Sequence, residues 1–248
     1  MSPVRGPGPA RPLAADARVD LLLPPDFHDL LQPEDPIQAR VEVDTLLRRL
    51  LPAMPDPHLA SAVEGMMRWR AQLQAAHVLL HGVVAVPAGE HSPVPVHWHV
   101  LAAALEVPAP EELDVGVLFS RAVGQRLDTT RAHVESFPSR MGWGVGVLTS
   151  FVPRLPEAIA PLAAALGSAG SRVTVGAPAL PGGGEVGVAA TVTGRHGSGL
   201  ALGVLGICLD PDQVLELGAL VTTIGAGSVL DPGATPTASD PGAHAPAP

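Results

Sequence analysis

Three Asp-Pro steps constrain the fold of this chain more than any other feature: Asp35-Pro36, Asp56-Pro57 and Asp210-Pro211. In each, the carboxylate can accept from the free N–H groups of a helix's first turn. The proline takes the first helical position, where it gives up only an N–H that had no partner. The steps predict helices from Asp35 to about Leu51, from Pro57 to about His77 and from Pro211 to about Ile224. Apolar residues recur at helical spacing in each. The first carries Ile37, Val41, Leu47 and Leu50, the second Leu59, Val63, Met66 and Leu73, and the last Val214, Leu217, Val221 and Ile224. Arg70 interrupts the second stripe, and its apolar stem can run along the core while its head reaches water. A fourth helix is predicted from Pro110 to Arg126, on Leu113, Val117, Leu118 and Val123.

The intervening stretches read as strands. ARVDLLLP, VLLHGVVAV, VPVHWHVLAAALEV, TRAHVESFP, GWGVGVLTSFV, SRVTVGAPAL, GVAATVTG and LALGVLGICL are Val-rich and bounded by Gly/Pro turns. PGGG (181–184) and GRHGSG (194–199) read as hairpin loops, which imply antiparallel pairing. Residues 154–170, broken by Pro156 and Pro161, read as a loop. Helices fall at the start, middle and end and do not alternate with every strand. The predicted class is therefore α+β, a mainly antiparallel sheet with about four helices packed on it. A single domain is predicted over 17–230, between Pro/Gly/Ala-rich disordered ends at 1–16 and 231–248.

Composition narrows function. All 15 basic residues are arginine, and lysine, asparagine and tyrosine are absent, the codon bias of a GC-rich, actinobacterial genome. Without lysine there is no phosphate loop ending in Gly-Lys, no Schiff base and no Ser-x-x-Lys acyl enzyme. A net charge of −9 without a basic stripe argues against nucleic acid as a partner. Cys208 stands alone in an apolar run and reads as a small packing residue in a reducing compartment. No signal-like h-region opens the chain, and no window reaches the roughly 18 apolar residues of a membrane span. The expected location is the cytoplasm.

Two constellations remain. In PVHWHV (95–100), His97 and His99 are two apart, so on a strand they share one face about 6.8 Å apart along the chain. His81 lies on the preceding strand. A register pairing Val83 with His97 and His81 with His99 brings three imidazoles together, a ligand set for zinc or another divalent metal. The competing reading puts Val96, Trp98, Val100 and Ala102 on the core face and leaves the histidines on the wetter one. The second constellation is surplus apolar surface on the first two helices. Met66, Met67 and Trp69, with Leu46 and Val43, read either as core or as an interface for a protein partner, a second copy included. Gly-rich GWGVGV lies inside a strand pattern, where glycine marks a bulge or a close backbone approach, and not a dinucleotide fingerprint.

RVDLLLPPDFHDLL (18–31), and SRVTVGAPALPGGGEVGVAATVTG with the strand and helix that follow it, resemble a group of uncharacterised actinobacterial α+β proteins comparable with the PsbP-like sandwich. The resemblance covers mainly 17–30 and 171–230. It implies an antiparallel sheet with helices on its faces and a binding or accessory role, and it carries no catalytic motif. The combined reading is a non-enzymatic protein-interaction or accessory module with no cofactor. The alternatives are a metal-binding protein or metal-dependent hydrolase built on His81, His97 and His99, and a small-molecule binder.

Overall fold

The computed structural model describes residues 12–14, 16–52, 54–86, 96–106, 132–151, 185–231 and 233. The helix predicted over 110–126, the strand SRVTVGAPAL, the loop 154–170, the PGGG loop and most of both predicted disordered ends lie outside them.

In chain order the elements are β1 (Arg18–Asp20), β2 (Phe27–Asp29), α1 (Pro36–Leu50), α2 (Asp56–Ala75), β3 (Leu80–Val86), β4 (Val96–Glu106), β5 (His133–Ser139), β6 (Gly142–Phe151), β7 (Val186–Gly194) and β8 (Leu200–Cys208). A 3-10 turn (Pro211–Gln213), α3 (Val214–Gly227) and β9 (Val229–Asp231) follow. Seven strands form one sheet in the order β2-β3-β4-β8-β7-β6-β5, and every pairing is antiparallel. β1 pairs with β9 in a separate two-stranded ribbon. The class is thus mixed α and β with a large antiparallel sheet, and three α-helices lie among the described residues.

Two of the Asp-Pro steps cap as expected. The Asp35 side chain accepts from Ile37 N–H at 3.0 Å, and Asp210 accepts from Asp212 N–H at 3.1 Å to open the 3-10 turn. The third does not. α2 begins at Asp56 itself, with Pro55 before it and no side-chain cap, and the Asp56 carboxylate takes Arg48 at 3.0 Å instead.

The sheet is covered on both faces. α1 and α2 bury Val43, Leu46, Leu47, Leu59, Val63, Met66 and Trp69 against Val83 of β3 and Leu101 of β4. α3 lies on the opposite face, where Leu217, Val221 and Ile224 meet Val100, Leu202 and Val204. Glycine lets this helix approach closely. A Cβ at Gly206 would stand 2.6 Å from Val221 Cγ2 and 2.7 Å from Leu217 Cδ1, and one at Gly218 would stand 2.4 Å from Leu148 Cδ2. The stripes read for α2 and α3 face inward as expected. That of α1 is rotated: Ala39, Val43, Leu46 and Leu47 are its buried residues, while Ile37 and Val41 are exposed.

Arg70 is buried and does not reach water. Its guanidinium donates to the carbonyls of Leu30 (3.1 Å), Leu31 (3.3 Å) and Pro33, and to Gln74 Oε1 (3.2 Å). The chain between β2 and α1 has carbonyls with no ladder partner there, and an arginine fork satisfies several at once. Leu30 N–H in turn donates to the His81 carbonyl at 2.7 Å.

Candidate functional site

β3 and β4 pair so that His81 opposes Leu101, Val83 opposes His99 and Ala85 opposes His97. This register is shifted by two residues from the one that would align the three imidazoles. An even shift preserves the face, so His81, His97 and His99 still point to the same side. That side is the one beneath α1 and α2, not a wet one: His81 is 0% and His99 7% exposed. Trp98 takes the α3 face, where its indole N–H donates to Gln213 Oε1 at 2.8 Å.

His81 and His99 form a diagonal pair. His81 Nε2 and His99 Nδ1 are 3.3 Å apart, and the rings are stacked with centroids 5.5 Å apart. Trp69 closes over both, with ring centroids at 4.2 Å from His81 and 5.4 Å from His99. His81 Nδ1 is buried with no hydrogen-bond partner. A proton on His81 Nδ1 would be a buried donor without a partner, so the proton belongs on His81 Nε2, which donates to His99 Nδ1. Burial pushes His81 well below the usual imidazole range, and His99 beside it adds to the shift. His99 is lowered to about 4, by burial first and then by His97. His97 is lowered by burial alone. The pair is neutral, dry and packed.

As a metal centre this set is short of ligands. Among the described residues no group of three or more His, Cys, Asp and Glu side chains could hold an ion. The ring that closes over the pair is an indole, which offers no metal ligand. His97 lies farther along β4 and, with His99, Leu30, Val43, Leu46 and Met66, lines a cavity of only ≈10 Å³.

The residues singled out as a possible interface are taken up by the core. Met66, Trp69, Leu46 and Val43 are buried in it, and Met67 is half-buried against it. The helices are apolar on more than one side because they touch both each other and the sheet. Cys208 is buried too, its Sγ 3.5 Å from the Gly187 carbonyl, and burial pushes its thiol up to about 12.

A second region was not read from the sequence. At the far edge of the sheet, β5, β6, β7 and α3 enclose a groove of ≈290 Å³. Gly146 and Ala189 floor it, Phe137 and Leu215 wall it, and His133 and Glu135 stand on the β5 side. Phe137 lies across Gly144, where a Cβ would come within 2.4 Å of the ring. This is the close approach expected of a glycine within a strand. The groove's wall residues are separated by dozens of positions, so only the alternation His133, Glu135, Phe137 hints at it.

Among the described residues β5 ends the sheet, and the register sets which of its backbone groups face outward. Ser139 and Gly142 flank the two-residue turn Arg140-Met141, so they form the hydrogen-bonded pair that closes the hairpin. Alternation then makes Phe137–Gly144, Glu135–Gly146 and His133–Leu148 hydrogen-bonded as well. Val134, Ser136 and Pro138 turn their backbone groups outward. Proline belongs there, since its missing N–H breaks no bond within the sheet. Val134 is 53% exposed and Leu215, at the groove rim, 69%.

No protein-family model matches the chain, and no curated protein matches it. Among solved structures it is similar to LpqN, a protein involved in cell envelope biogenesis of Mycobacterium tuberculosis. The identity is 12% over 90% of each chain, with a TM-score of 0.37. The likeness is too slight to transfer a role.

Proposed function

We propose that this chain is a non-enzymatic interaction module of the cytoplasm, and that its working surface is the β5–α3 end of the sheet. One observation carries the reading: among the described residues β5 is an unpaired strand edge beside a groove, with Val134 exposed on the edge and Leu215 exposed at the groove rim. Edge strands recognise other chains through their unpaired backbone groups, and neighbouring pockets supply specificity. Among the described residues, the groups with the strongest titration shifts, His81, His99 and Cys208, are buried in cores. The lone cysteine suits a reducing compartment. Among the described residues no helix is long and apolar enough to cross a membrane.

The test is cross-linking in the native cell with three variants. Val134→Pro removes an outward N–H, Leu215→Asp spoils the groove rim, and Ile37→Asp alters an exposed residue elsewhere. Cross-linked products lost from the first two and kept by the third support the reading. Products unaffected by either of the first two refute it.

A further inference from the structure

We infer that the occupant of the β5 edge is a second copy of this chain, paired antiparallel about Val134. The inference rests on reading β5 as the interaction surface and names its partner. Several two-fold registers are open to the outward groups of this strand, and the side chains choose among them.

Centring the pair on Ser136 places Val134 opposite the other copy's Pro138, where a donor is missing. Centring it on Glu135 stacks carboxylate against carboxylate, and like charges directly opposite are destabilising. Centring it on Val134 avoids both. Val134 then exchanges both backbone bonds with its counterpart, and Ser136 does the same with Ala132 of the other copy. In this register His133 faces the other copy's Glu135, twice by symmetry. Within one copy these two side chains already approach to 3.9 Å, with 69% and 70% of their surface exposed. The two Val134 side chains meet on the opposite face and bury surface that each now exposes. Pro138 blunts the end of the strand nearest the hairpin, so the pairing is confined to the half that carries the complementary residues.

A two-fold axis in this position is normal to the sheet. The joined sheet is continuous, both α3 helices lie on one side of it, and the two grooves open towards each other across the joint. Such a surface is isologous and closes after two copies.

The test uses the purified full-length chain. Light scattering after size exclusion should give twice the 25.3 kDa mass. Val134→Pro, which disturbs no bond to β6, should weaken the dimer by about tenfold to a hundredfold, the loss of one hydrogen bond from each copy. Mild oxidation should link Val134→Cys into a dimer, since directly opposed hydrogen-bonded residues have Cα atoms about 5.5 Å apart, within disulfide reach. Ser136→Cys should not link, because its nearest counterpart is four residues out of register. The buried Cys208 makes the unmodified chain the control. A monomer at all accessible concentrations overturns the inference, and so does linking through Ser136→Cys in place of Val134→Cys. If the chain is monomeric yet the cellular cross-links still depend on Val134, the interaction module stands and only its partner changes.

Discussion

His81 and His99 keep 0% and 7% of their surface in water, whereas the side chains of His133 and Glu135 keep 69% and 70%. Both pairs sit on strands of one sheet, the first on the second and third strands from one edge and the other on the strand at the opposite edge. Under α1 and α2, water is excluded, so the imidazoles titrate abnormally and their worth is measured in stability. Beside α3, the same kind of polar group stays solvated, contributes little to folding and remains free to meet another chain. The difference comes from cover: Trp69 closes the first region, and nothing equivalent among the described residues lies over β5. Each prediction below tries to make one region behave like the other.

Removing the cover should have the largest effect. Trp69→Ala deletes the ring that touches both imidazoles and leaves a cavity in the α1–α2 core. Aromatic deletions of this kind cost about 3–5 kcal/mol. The urea midpoint should fall accordingly, and a change below about 1 kcal/mol would mean that the core refills or that the ring does not pack as described.

Acid should act on the same region with nearly equal force. His99 is lowered to about 4, while an unfolded chain takes up its imidazole proton near 6.5. Between those values the unfolded state holds the extra proton. Stability is therefore full above about pH 6.5 and is lost as pH falls towards 4, at about 1.4 kcal/mol per unit, of order 3 kcal/mol in all. His81 is shifted in the same direction and steepens the loss. His99→Gln should flatten the profile in this window. An unchanged slope would show that other groups carry the acid response.

How much of this was legible turns on the range of each interaction. β3, β4, β6, β7 and β8 could be read because alternation and Gly/Pro turns are local signals. So could the inner faces of α2 and α3, each with one dominant stripe. α1 was misjudged because Ile37, Val41, Val43, Leu46, Leu47 and Leu50 wrap more than one side, and only the position of α2 and the sheet decides which side is core. The histidine register depended on how β3 meets β4, and no local residue pattern specifies that. β1 falls within ARVDLLLP, which reads as a strand, but its partner β9 is three residues long and lies more than two hundred positions away, beyond any periodicity. The groove assembles β5, β6, β7 and α3, and only the folded sheet brings them together.

A smaller effect is expected where α3 meets the sheet. Gly206→Ala would drive a methyl to 2.6 Å from Val221 and 2.7 Å from Leu217, both fully buried. Overpacking of this kind costs about 1–3 kcal/mol. The loss should be measurable by denaturation, and it should reach the groove, since Leu215 and Gly218 ride on the same helix. A neutral outcome would mean that α3 can lift without penalty, and the groove would then be adjustable in width.

The smallest effect on stability is expected at the groove rim. Leu215 is 69% exposed, so replacing it with aspartate removes little buried surface. Surface changes away from caps and cores stay within about 0.5 kcal/mol. Leu215 also lies in the first turn of α3, where a carboxylate is favoured by the helix dipole, which offsets part of any loss. The denaturation midpoint should therefore be nearly unchanged while binding at this end of the sheet is reduced. That separation is the sharpest form of the contrast, because a matching substitution under α1, at Leu47, would lose several kcal/mol with no binding readout. If Leu215→Asp proved as destabilising as a core substitution, the rim would be part of the fold's interior, and the distinction between a sealed region and an open one would fail.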